Sequence, residues 1–173
     1  MKLIKKLLAM ALAGVMLLTI LTGCSGGKTG DRLAEEYMAT FLSEDPAFGL
    51  CGLPITHDVP EIEIVAEKFN PSWLENGLHN IPAADKSTLR EVFSKYSSGY
   101  AVNLYACKVD STQSELNQTV RVMSTFSSGL RICPAQGLSS PTSATAVKCA
   151  TRLVTRGNTS YRIAVIIYDY PVD

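Results

Sequence analysis

The chain has 173 residues, 16 basic and 16 acidic side chains, and 46% apolar content. That is enough for one domain with its own core. Balanced, scattered charge leaves no basic footprint, so no nucleic-acid partner is expected.

The first element in chain order is MKLIKKLLAMALAGVMLLTILTGC. Lys2, Lys5 and Lys6 form a positive head, and residues 7–21 carry no charge. This is the pattern of a secretory signal, and the run is somewhat short for a spanning helix, which needs about 20 apolar residues. The run closes on Leu21-Thr22-Gly23-Cys24. That tetrad resembles the bacterial lipobox, with a leucine three residues before the cysteine and a small residue just before it. The resemblance implies that Cys24 is the lipid attachment site and that residues 1–23 are removed as a signal peptide. It also implies a diacylglyceryl group that holds the protein on the extracytoplasmic face of the cell membrane. Residues 24–30, rich in glycine, read as a flexible tether, and residues 31–173 as a single domain. With Lys2, Lys5 and Lys6 gone, 13 basic residues face 16 acidic ones, a net of −3.

Residues 31–42 read as a helix, with Asp31 as its cap and Leu33, Tyr37 and Phe41 recurring at four-residue spacing. Residues 46–60 are irregular. Residues 61–65 alternate like a strand, while the spacing of Ile62, Val65 and Phe69 fits a short helix, so both remain open. Residues 71–75 form a helical turn with Asn70 as cap. Residues 85–96 make a helix with Leu89, Val92, Phe93 and Tyr96 on one face. Residues 100–109 form a strand with Tyr100, Val102, Leu104 and Ala106 on one side and Asn103, Tyr105 and Cys107 on the other.

Residues 114–131 show helical spacing through Leu116, Val120, Met123, Ser127 and Leu130. The chain then ends in two long arms, 144–155 and 161–170, flanking residues 156–160 with their Gly157-Asn158, which reads as a β-hairpin. The second arm is apolar on both faces and is expected as a central strand. The fold class is α+β: an antiparallel or mixed sheet ending in a C-terminal β-hairpin, with helices packed on it.

With Cys24 set aside, Cys51, Cys107, Cys133 and Cys149 allow two disulfides with three pairings. An 18-residue helix over 114–131 would carry the chain about 27 Å back along the preceding strand. Cys133 then lies near the start of that strand and Cys107 near its end, which disfavours their union. Cys107–Cys149 with Cys51–Cys133 is preferred over Cys51–Cys107 with Cys133–Cys149. Reduced core thiols are the alternative, and a zinc site has no CxxC spacing to support it.

Chemistry is sparse. The chain has two histidines, His57 and His79. Cys51 with His57 is the pair that a thiol nucleophile would need. Glu61 and Glu63, and Glu35 and Glu36, are candidate paired carboxylates that read more readily as solvated faces. Trp73, Gly77, His79 and Ile81 are faintly similar to the signature of the secreted CAP superfamily. Here, however, glycine and histidine are not adjacent and the upstream histidine has no counterpart, so Trp73 reads as a packing residue. The order strand, helix, loop and hairpin over 99–170 is similar to small lipoproteins of unknown function in clostridial-type bacteria, a resemblance that implies no activity. No cofactor and no metal are expected. Two functions stay open: a non-catalytic lipid-anchored protein that binds an envelope partner or ligand or assists envelope assembly, and an envelope hydrolase using His57 or His79.

Overall fold

A computed structural model describes residues 29–75, 77–96, 99–133 and 143–171. Among the described residues, five strands form one sheet: β1 (Ile55–Thr56), β2 (Tyr100–Val109), β3 (Leu130–Cys133), β4 (Ala146–Arg156) and β5 (Thr159–Asp169). Their order is β1-β4-β5-β2-β3. All pairings are antiparallel except β1 with β4, which is parallel, so the sheet is mixed. The helices are α1 (Thr29–Glu44), α2 (Glu61–Lys68), α3 (Ser72–Glu75), α4 (Ala83–Val92) and α5 (Glu115–Met123). The α+β class and the C-terminal hairpin hold.

The hairpin is the most regular part. β4 and β5 pair from Ala146↔Asp169 to Arg156↔Thr159, leaving Gly157 and Asn158 as a two-residue turn. Gly157 has φ of 58°, a left-handed conformation that glycine takes without strain. β5 is paired on both edges, with β4 and β2. Every residue from Ile163 to Tyr168 is buried, which explains why this arm is apolar on both faces.

The sheet therefore has two covered faces. On one, Val102, Leu104, Ala106, Ala150, Val154, Ile163, Val165 and Ile167 pack against Ile62, Val65, Trp73 and Leu89 of α2, α3 and α4. On the other, Ala101, Tyr105, Cys107, Val147, Cys149, Ala164 and Ile166 meet Met38 and Leu42 of α1 and Val122 of α5. The result is three layers, helix, sheet and helix.

Several local expectations change. Residues 61–68 settle as helix α2, burying Ile62 and Val65 on one side. Asn70 does cap the next turn: its Oδ1 accepts the Ser72 amide at 3.0 Å. α1 starts two residues before Asp31, and its buried stripe is Ala34, Met38 and Leu42 rather than Leu33, Tyr37 and Phe41. The four-residue spacing is right and its phase is one residue off, so that Ala34 rather than Leu33 is buried, its carbonyl accepting from Thr119 of α5. The helix expected over 114–131 stops at Met123, and Leu130–Cys133 is a strand. Hydroxyls end it: Ser124 Oγ and Thr125 Oγ1 turn back onto the carbonyls of Arg121 and Val122, each at 2.6 Å. Gly129 then passes so close to Tyr105 that a Cβ there would stand 2.2 Å from its ring.

Candidate functional site

Cys24 lies outside the described residues. The other four cysteines are free thiols. The preferred pairing of Cys107 with Cys149 is not met, because β5 runs between their strands. Cys107 stands opposite Arg162 and Cys149 opposite Ile166, four residues further along. Two strand spacings and that offset separate them by roughly 16 Å, far beyond the reach of a disulfide. Cys133 and Cys149 have both β2 and β5 between them, and Cys133 lies on the edge strand opposite β1, which Cys51 approaches. Neither pairing scheme closes.

The thiol–histidine pair also differs. The sulfur near His57 is that of Cys149, 3.8 Å from Nδ1. Cys149 is fully buried, and burial, with the charge of Glu35, pushes its thiol up to about 12. A nucleophile must be a thiolate, and this one stays protonated at neutral pH. His79 is exposed, and its carbonyl accepts from Lys86. Among the carboxylates, Glu61 is buried and ion-paired with Lys95 at 2.5 Å, while Glu63 pairs with Arg152 at 2.7 Å. Glu36 pairs with Arg32 on the exposed side of α1. Trp73 is buried, stacked edge-on to Phe69, and donates from Nε1 to Asp85 at 2.8 Å. It is a packing residue, as its surroundings in the sequence implied.

Glu35 is the largest correction. Read as solvated, it is buried, and with Asp31 it performs one structural task. β1 covers β4 only at Val147 and Lys148, which leaves the outer amides beyond them unpaired by strand. The Thr151 amide donates to Glu35 Oε1 at 3.2 Å and the Leu153 amide to Asp31 Oδ1 at 2.9 Å. Four residues of helix rise about 6 Å and two residues of strand about 6.6 Å. Two carboxylates at i and i+4 on α1 therefore match alternate amides on β4, which a helix-face reading of the acidic residues does not anticipate.

Behind them lies a buried cation. Arg162 of β5 is 1% exposed. It donates from Nη1 to Asp31 at 2.5 Å and from Nη2 to Gln118 Oε1 at 2.6 Å, while Nε has no partner among the described residues. Burial lowers its pKa, and the charge of Asp31 opposes that. Gln118 in turn donates from Nε2 to the Gln113 carbonyl at 2.8 Å. Arg152 ties Glu35 and Glu63 together across the outside of β4.

Gln113 belongs to the wall of a cleft of about 490 Å³. The cleft gathers the end of β2 and the turn after it (Lys108, Val109, Asp110, Ser111, Gln113), Arg121 of α5, and the hairpin tip (Asn158, Thr159, Ser160). The strand register sets it, since Val109 stands opposite Ser160. Arg121 donates from Nε to the Lys108 carbonyl at 2.8 Å, which aims its guanidinium across the strand end. Asp110 accepts both the amide and the hydroxyl of Thr112, at 2.9 and 2.7 Å, and these bonds hold its carboxyl below the ordinary range. The lining is thus two basic residues, one carboxylate that those bonds keep ionised, and a set of hydroxyls and amides. Its volume falls in the range of small-molecule sites, while its lining is more polar than is usual for them. Neither histidine lines it. Among the described residues no group of three or more histidine, cysteine or acidic side chains is placed to hold a metal. No sequence motif marks the cleft, because its cations are Lys108 and Arg121 from different elements.

No protein-family model, no curated protein and no solved structure matches the chain.

Proposed function

We propose that the chain is a lipid-anchored extracytoplasmic protein that binds an envelope ligand or partner through its folded domain, without catalysis. The observation that carries this reading is the register at the N-terminus: three lysines, an uncharged run and Leu21-Thr22-Gly23-Cys24 in order. A diacylglyceryl thioether on Cys24 supplies two acyl chains. One chain holds a protein only marginally, whereas two hold it stably, at about 0.8 kcal/mol per buried CH₂.

The fold adds a distance to this. α1 begins at Thr29, five residues after Cys24, so the folded domain starts at most about 18 Å along the chain from the lipid. α1 takes in Thr29 and Gly30, two of the residues read as tether. A domain held that close presents one end to the membrane surface, and the polar cleft is the feature through which it would engage a ligand there.

The test is expression of the full chain in a bacterial host with Cys24→Ala beside it. The natural sequence is expected in the detergent phase, with an intact mass showing loss of residues 1–23 and gain of lipid. Cys24→Ala is expected as uncleaved precursor or as protein released from membranes. Equal membrane attachment and equal mass for the two would overturn the proposal.

A further inference from the structure

The wall of the cleft is tied to the start of the N-terminal helix. Gln118 of α5 is 2% exposed and uses both ends of its amide. Its Oε1 accepts from Arg162 Nη2 at 2.6 Å, and its Nε2 donates to the Gln113 carbonyl at 2.8 Å. Arg162 in turn donates from Nη1 to Asp31 at 2.5 Å. We infer that the first turn of α1 is a latch on the cleft: docked, it holds the turn 110–113 in place through this buried relay, and lifted, it lets that turn move. The latch belongs to the folded domain and works whether or not Cys24 carries a lipid.

Each link has one chemical direction. A guanidinium only donates and a carbonyl only accepts, so the Gln118 amide between them has a single orientation. Asp31 is the one ion-pair partner of Arg162 among the described residues. Taking that carboxylate away leaves a buried cation uncompensated, which is far costlier than rearranging the side chains around it. The guanidinium must then turn to what remains on its face of the sheet. That is Gln118, or Glu115 at the start of α5, whose charge also acts on it. Either move shifts the Gln118 amide, and the Gln113 carbonyl loses its donor.

Asp31 is the movable end. It lies in the first turn of α1 and its side chain is 29% exposed, so water can take over its charge when that turn lifts. Helix ends open at the lowest free energies in a fold. The body of α1 is held separately: Met38 and Leu42 are buried, and the Ala34 carbonyl accepts from Thr119 Oγ1 at 3.4 Å. The first turn can therefore lift while the helix stays on the sheet. At the other end, the Gln113 amide donates to the Asp110 carbonyl at 3.1 Å and the Thr112 amide to the Asp110 carboxylate at 2.9 Å. Asp110, Ser111 and Gln113 all wall the cleft. A ligand that favours the ordered turn thus favours the docked helix start, and the reverse holds by linkage.

The test uses the full chain, ¹⁵N-labelled and held in neutral detergent, with amide exchange with water measured by NMR. Asp31→Ala removes the latch. Gln118→Glu keeps an acceptor for Arg162 and removes the donor to Gln113, which cuts the relay on the cleft side alone. Each variant should speed exchange of the Thr112 and Gln113 amides about fivefold, the worth of one hydrogen bond, beyond any change at Ala164–Ile167, whose amides report global opening. Asn158–Ser160, which line the same cleft outside the relay, should show no such excess. The double variant should be no faster at Thr112 and Gln113 than the single ones, because both cut one chain. Unchanged rates there in Asp31→Ala, no excess over Ala164–Ile167, an equal excess at Asn158–Ser160, or additive effects in the double variant would overturn the latch. Membrane partition and the mass of Cys24 read the anchoring separately, so either proposal can fail alone.

Discussion

The two faces of the sheet are held by different physics. The face under α2, α3 and α4 is mostly carbon, with Phe69, Trp73, Phe93, Leu104, Ile163 and Ile167 buried and Glu61, paired with Lys95, as its buried charge among the described residues. Aromatic edges organise it: Phe69 meets Trp73 at 5.6 Å and Tyr161 at 5.2 Å. The face under α1 and α5 has its own apolar patch but also buries Glu35, Gln118, Thr119, Thr151 and Arg162. Burial of carbon is non-directional and tolerates small shifts. Buried charge stabilises only with its partners in place, and there it fixes register. The first face gives the sheet its stability, and the second sets where α1 sits along β4.

The largest effect should come from the carbon face. Trp73→Ala empties a fully packed site and removes the donor to Asp85, and about 3–5 kcal/mol of unfolding free energy should be lost in urea titrations. A loss near 1 kcal/mol would mean that this face is not the stronger one. Next comes Arg162→Ala, which leaves Asp31 and Gln118 without their cation. The expected cost is about 3 kcal/mol, at the low end for a broken buried pair because Asp31 keeps some solvent. Arg162→Met fills the space with carbon and should recover part of it. Equal behaviour of the two variants would show that volume, not charge, is what the second face needs.

The smallest effect concerns the thiols, and it sharpens the same contrast. Burial pushes Cys107 from 9.0 to about 11 and Cys149 from 9.0 to about 12. A raised folded pKa means that the native state keeps its proton longer than the unfolded chain. That stability is complete below the unfolded value of 9.0 and is lost as pH rises through 11 and 12. Unfolding free energy should therefore fall above about pH 9, and Cys149→Ala should fall less steeply. Tyr105, raised by burial to about 12, contributes in the same direction. Native-state alkylation at neutral pH should label exposed Cys51 and spare Cys107 and Cys149 until denaturant is added.

The sequence was most readable where one period ran unbroken. Tyr100–Val109 alternates cleanly, and both its ends and its two faces were legible. The central place of β5 was legible too, from its continuous apolar run, although the strand starts two residues earlier than the arm read as 161–170. Legibility failed where two periods met. Leu130 extends the helical spacing of Leu116, Val120 and Met123, yet it belongs to a strand of four residues, too short to announce itself against a helix of nine. Glu35 was misread for another reason. Helical periodicity places charge outward, and only the shortness of β1 shows that β4 has amides to satisfy. The cleft was not legible at all, since Lys108, Arg121 and Ser160 meet only after the sheet has closed.

The carboxylates on α1 have a consequence for assembly. A strand of eleven residues, half uncovered along one side, is a template on which a second chain can add its own strand. Asp31 and Glu35 occupy those positions with side chains that cannot continue a ladder. At the far side of the sheet β3 offers four residues. Crowded on a surface with copies of itself, such a molecule would have little backbone to exchange with its neighbours. Its N-terminal helix thus closes the open edge of β4 as well as covering the sheet.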